Sequence, residues 1–163
     1  WAGNQPPSLA SWTAPELAKM PTYYIMELDQ TMPETVAAEM PDAAEIAACT
    51  WLTDDELAVY AGEFSRSGVQ GGFQGGLQWY SCRTQGPYEG QLQIFSGRTI
   101  DVPACFIGGG SDWGIRQVPG ALEKMQAEAC SNMAAVHIVP GAGHWVQQEQ
   151  PEAVSAILLD FLA

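Results

Sequence analysis

Only two runs among the 163 residues have the character of buried β-strands, and each leads into a glycine turn. Val102-Pro103-Ala104-Cys105-Phe106-Ile107 carries no charge and ends in Gly108-Gly109-Gly110, while Ala134-Ala135-Val136-His137-Ile138-Val139 ends in Pro140-Gly141. Runs without polar alternation suit strands covered on both faces, as in a parallel sheet. A helix from about Pro119 to Cys130, burying Leu122, Met125 and Ala129, fits between them. A last helix opens on Pro151 and carries Val154, Ile157, Leu158 and Phe161 on one stripe. Strand, helix, strand, helix implies a right-handed parallel crossover. Two strands cannot complete such a sheet, because both faces need cover and both edges need neighbours. The expectation is therefore an α/β fold present in part: a parallel βαβα segment over residues 101–163, incomplete without an N-terminal half.

Residues 1–100 are written differently. Pro6-Pro7 opens a loop, and Ser11 to Glu16 and Pro33 to Met40 each offer a helix start with acids in the first turn. The clearest helix begins after Thr53, a hydroxyl cap followed by Asp54, Asp55 and Glu56, with Leu57, Tyr60, Ala61 and Phe64 at helical spacing. Gly68 is expected to stop it. The Gln-Gly-Gly duplication from Gln70 to Gly76 then reads as a loop, feeding a short helix around Leu77 to Arg83. Short helices joined by loops fill this half, and no strand of any length is expected there.

Composition narrows the function. Six basic residues against 19 acidic ones leave a net charge of -13, which would repel a phosphate backbone or an anionic membrane, so nucleic acid is not an expected partner. The longest apolar stretches, such as Ala156 to Leu159, fall far short of the roughly 20 residues of a membrane span. The chain opens Trp1-Ala2-Gly3-Asn4, with neither an initiator Met nor the charged, apolar and small-residue series of a signal peptide. That opening reads as a piece of a longer translation product, so location is left unknown, with the cytoplasm favoured because no signal peptide is visible. Cys49, Cys82, Cys105 and Cys130 are spaced too irregularly for zinc or a redox pair, and free buried thiols are expected. No metal or cofactor is implied.

In open α/β sheets the reacting groups gather in the loops after the carboxyl ends of the strands. After the first strand comes Gly110-Ser111-Asp112-Trp113-Gly114, and after the second Gly141-Ala142-Gly143-His144-Trp145-Val146. A carboxylate and an imidazole thus occupy equivalent places 32 residues apart. There the acid can hold the tautomer that leaves a basic ring nitrogen facing substrate. Asp112 alone reads as a turn former, and His144 alone equally as a packed histidine or a functional one; their joint placement is what points to catalysis. His137, inside a strand among apolar neighbours, reads as a core residue.

The segments Val102 to Gly108 with Ser111-Asp112-Trp113-Gly114, then Gly143-His144-Trp145-Val146 through Gln150-Pro151-Glu152, resemble the closing third of an α/β-hydrolase of the epoxide hydrolase branch. Trp51-Leu52-Thr53-Asp54-Asp55-Glu56-Leu57, continuing through Tyr60, Phe64 and Ser67-Gly68 to Gly75-Gly76-Leu77-Gln78-Trp79-Tyr80, is similar to that branch's helical cap with its Asn-Trp-Tyr-Arg signature. Tyr23-Tyr24-Ile25-Met26-Glu27-Leu28-Asp29 resembles the cap segment that usually reads Tyr, three residues, Phe-Gln. The likeness spans about residues 22 to 163. It implies residues 1–100 as helical cap and return linker, and 101–163 as the C-terminal part of the core.

What the resemblance implies for chemistry follows position by position. A core aspartate attacks an epoxide carbon, and a water activated by a histidine hydrolyses the resulting alkyl ester to a diol. His144 would be that base, Asp112 its orienting acid, and Tyr80 and Tyr24 the cap tyrosines that hydrogen-bond the epoxide oxygen. Tyr23, adjacent to Tyr24, competes for the first of those places. Ser81 stands where the family has Arg, and Leu28-Asp29 where it has Phe-Gln.

None of Ser96, Ser111, Asp101 or Asp160 sits in the small-x-nucleophile-x-small turn of a nucleophile elbow, and neither histidine is followed by the Gly of a His-Gly-x-Pro oxyanion loop. The expected partner is therefore a complementary N-terminal chain bearing the nucleophilic Asp and that loop. The expected substrate is small, neutral and apolar, and a homo-oligomer of the assembled enzyme is left open. A hydrolytic dehalogenase of the same fold, or a noncatalytic binding or assembly subunit, is the alternative.

Overall fold

The computed structural model describes residues 6–66, 68–84 and 88–163. Trp1 to Asn4 and Ser67 lie outside the described residues. Along the chain the helices are α1 (Ala14–Leu17), α2 (Met32–Ala38), α3 (Ala43–Ala48), α4 (Asp54–Ser65), α5 (Gly68–Thr84) and α6 (Glu89–Leu92). There follow β1 (Ala104–Gly109), α7 (Ala121–Lys124), β2 (Met133–Val139), α8 (Val146–Glu149) and α9 (Pro151–Leu162). The contacts divide the chain into two units, one of Trp1–Ala48 with Thr99–Ala163, the other Cys49–Arg98. Residues before Cys49 thus cluster with the strand-bearing part, whereas the sequence boundary at residue 100 groups them with the helices.

In the helical unit, Thr53 caps α4 as its composition requires. Its hydroxyl accepts from the Glu56 N–H at 3.3 Å, and the Glu56 carboxylate accepts in return from the Thr53 N–H at 2.8 Å. Those bonds to Thr53 hold the Glu56 carboxyl below the usual carboxylate range. The helix ends at Ser65, close to the expected stop at Gly68, but the glycine-rich stretch after it is not a loop: α5 runs continuously through it. Packing against α4 outweighs the glycines' weak helix preference. The Phe64 and Phe73 rings stack at 4.9 Å and 10°, and a Cβ on Gly72 would come within 1.7 Å of the Phe64 carbonyl oxygen. Only glycine lets the two backbones approach so closely.

In the other unit β1 and β2 pair in parallel, with Cys105 opposite Ala135, Ile107 opposite His137 and Gly109 opposite Val139. The crossover expected from the order of elements is present. Its connecting helix is shorter and less regular than expected, α7 continuing as a π-helical turn over Met125–Ala129. Leu122 and Met125 are half-buried, but Ala129 is exposed, and Cys130 takes the inward place instead. Cys130 is the one buried thiol among the four free cysteines; the other three are half-buried. The strands are also less covered than expected. Only the glycine-rich end of β1 and Val139 of β2 are buried, because among the described residues each strand has a single neighbour and cover comes from loops at the carboxyl ends.

That cover is the core. Val139, Ala142, Val146 and Val154 are buried together, with Ile107, Ala153 and Ile157 packed against them. On α9, Val154 and Ile157 therefore face inward as expected, whereas Leu158 is exposed. Upstream, Leu9 is buried and its N–H donates to the Arg116 carbonyl at 3.3 Å, while the Trp12 indole donates to the Gln117 carbonyl at 3.2 Å. These bonds fasten the segment before α1 beside the loop that leaves β1. Among the described residues no helix is long and apolar enough to cross a membrane.

Candidate active site

The loops leaving the two strands are bonded to each other before either delivers a side chain. The Gly110 N–H donates to the Val139 carbonyl at 2.8 Å and the Ser111 N–H to the Ala142 carbonyl at 2.9 Å. A Cβ on Gly109 would come within 2.0 Å of the Gly143 carbonyl oxygen, so the end of β1 backs directly onto the loop that carries His144. These contacts bring residues 112 and 144, far apart in sequence, onto one edge.

Asp112 is buried, at 8% exposure. Its Oδ1 accepts from the Gly114 N–H at 2.7 Å as the chain enters a single 3₁₀ turn. The carboxylate is thereby fixed without help from the histidine. The turn-former role foreseen for this residue and its contact with the histidine thus coexist in one side chain. His144 Nδ1 lies 3.2 Å from each Asp112 oxygen. A carboxylate only accepts, so Nδ1 is the donor, which in the neutral ring leaves Nε2 as the acceptor. The His144 side chain is 63% exposed and meets the Trp145 ring edge-on at 5.3 Å.

On either side of the exposed histidine the loop is anchored in the core through Ala142 and Val146. Burying a Val side chain contributes about 1.5–3 kcal/mol, so the loop cannot swing out without losing much of that. The carboxylate of Glu149 lies against the same loop, Oε2 accepting from the Gly143 N–H at 2.7 Å and Oε1 from the Trp145 N–H at 3.0 Å. Sequence reasoning passed over this residue. Its one signal is an acid five positions after the histidine, within reach of a short helix that starts at Val146.

The tyrosines fall in both units. Tyr23 and Tyr24 are half-buried in the turn after Pro21, with ring centroids 4.9 Å apart. Burial, then the neighbouring Tyr24 and the charges of Glu39 and Asp112, push the Tyr23 phenol up to about 12. Tyr23 thus feels the Asp112 carboxylate and stays a proton donor throughout the neutral range. Tyr80 lies in the helical unit, exposed on α5. His137 is half-buried in β2, inside the strand rather than at its end, as the sequence suggested.

A parallel strand pair whose two exits deliver an aspartate and a histidine in contact is part of an α/β-hydrolase fold, and the chain's relatives specify the epoxide hydrolase branch. It is 36% identical over 130 residues to epoxide hydrolase A of Mycobacterium tuberculosis, covering 80% of this chain and 37% of that protein. It is 37% identical over 116 residues to epoxide hydrolase B of the same organism, covering 69% of this chain and 30% of the relative. Potato epoxide hydrolase I superposes with a TM-score of 0.61 at 31% identity, over 76% of this chain and 37% of that structure. The chain therefore spans well under half the length of the proteins it resembles. No protein-family model matches it.

Proposed function

We propose that this chain supplies the acid–histidine pair and the tyrosines of an enzyme that hydrolyses an epoxide to a diol, the nucleophilic aspartate and oxyanion loop coming from polypeptide outside these 163 residues. The observation that carries this reading is the contact of His144 Nδ1 with both Asp112 oxygens at the exits of adjacent parallel strands. Support for polypeptide beyond the chain comes from the missing nucleophile elbow and the half-covered strands.

In the first step the aspartate carboxylate attacks an epoxide carbon and the ring C–O bond breaks, forming an ester. The oxygen that leaves takes up negative charge and is met by phenol O–H donors. Tyr80 and Tyr24 are the residues assigned there by resemblance, and the protonated, half-buried Tyr23 is chemically suited to the same task. In the second step His144 Nε2 takes a proton from water, the hydroxide adds to the ester carbonyl, and the diol departs with a proton as the carboxylate is restored. Asp112 holds the ring for this and stabilises its charged form. The net negative charge fits a small, neutral substrate better than an anionic one. Epoxide opening is favoured over dehalogenation because the relatives are named epoxide hydrolases.

The test separates the two steps. In the assembled enzyme His144→Gln still forms the ester but does not hydrolyse it, so intact-mass analysis after exposure to an epoxide finds the protein carrying one substrate mass. Full turnover by that variant would exclude the histidine as base.

A further inference from the structure

We propose that Glu149 is a positioning residue for His144, holding the peptide units on both sides of it so that the ring meets Asp112; the inference rests on the reading of His144 as the base. The Gly143 and Trp145 N–H groups bracket His144, and both donate to the one carboxylate, each to its own oxygen, at 2.7 and 3.0 Å. Fixing the amide before and the amide after a residue fixes the direction in which its Cα–Cβ bond leaves the chain. Charge-assisted bonds of this kind are about twice as strong as neutral ones.

The reason such a clamp matters lies in the weakness of the contact it serves. At 3.2 Å to each oxygen, the bond from Nδ1 is shared and lies at the long end of the N–H···O range. The ring is also largely exposed, with Trp145 as its edge neighbour. With so little of the ring covered, the backbone beneath has a large share in setting its orientation. Asp112 is fixed independently by the Gly114 N–H. The two halves of the pair are thus each braced by their own local bond, and the pair is aligned only while both braces hold. The Gly143 carbonyl is backed by Gly109 and its N–H by Glu149, so the residue before the histidine is gripped on two sides. A Cβ at position 143 would approach Glu149 Oε1 to 3.3 Å, which makes the closeness of the carboxylate depend on glycine there.

Glu149→Gln keeps the shape but replaces one acceptor oxygen by a donor facing a backbone N–H. In the assembled enzyme, single-turnover measurement with styrene oxide as probe is expected to show ester hydrolysis slowed roughly tenfold to a hundredfold, the cost of a misplaced catalytic group, with ester formation changed far less. Without substrate, the NMR signal of the hydrogen-bonded His144 Nδ1–H is expected to weaken or vanish in a protein that still folds, with a modest fall in unfolding temperature from the lost bond. Equal slowing of both steps, unchanged hydrolysis, or an unchanged Nδ1–H signal would each overturn the proposal. Should the Gln variant not fold, Glu149→Asp keeps both acceptors on a shorter stem and must give the same selective loss at smaller amplitude. His144→Gln is the control: if it turns over normally the base assignment fails, and the substrate-free signal in the Glu149 variant still reports whether the clamp sets the ring.

Discussion

Tyr23 shows how much a single side chain can owe to its surroundings. Burial comes first among the causes that raise its phenol from 10.0 to about 12, followed by Tyr24, Glu39 and Asp112. Because the folded state keeps the proton longer than the unfolded chain, the stabilisation is complete below pH 10 and is lost as pH rises through 12. Tyr23→Phe is therefore expected to flatten the alkaline fall in unfolding temperature across that window and to remove a tyrosinate absorbance step near pH 12; an unaltered titration would show that the phenol is not confined in this way. At this scale the sequence was informative where a contact follows from position along the chain. Asp112 and His144 were legible because each directly follows a strand. Glu149 was not, because its partners are backbone N–H groups, which every residue but proline carries and no sequence pattern marks.

The capped starts of α2 and α4 and the proline opening of α9 are local devices, and they are found where the sequence puts them. The helix α5 is the opposite case. Glycine-rich composition argued for a loop, yet interhelical packing carried the helix straight through. The glycines of α5 should accordingly differ in kind. Gly75 and Gly76 have open space where a Cβ would go, so Gly75→Ala and Gly76→Ala are each expected to stabilise the helix by about 0.5–1 kcal/mol. Gly72→Ala should destabilise it, since the methyl would collide with the Phe64 carbonyl. Thermal unfolding of the three variants checks this, and three equal shifts would mean that α4 and α5 do not pack as closely as described.

For the molecule as a whole the decisive fact is incomplete cover. Leu159 and Leu162 on α9 and Val102 before β1 are exposed, although the chain is rich enough in apolar residues to bury a larger core. The 163 residues alone are expected to bind the dye ANS, with fluorescence falling when the proposed nucleophile-bearing polypeptide is supplied; a chain that binds no dye by itself would count against that proposal. What the amino-acid order settled unaided was the parallel strand pair, the capped helices and the two residues at the strand exits, because side-chain periodicity, turn chemistry and capping act over a few neighbouring residues. The passage of a helix through glycines, the charge felt by Tyr23, and the grip of Glu149 on the backbone around His144 were decided only in three dimensions, because each depends on how closely separate stretches of chain approach.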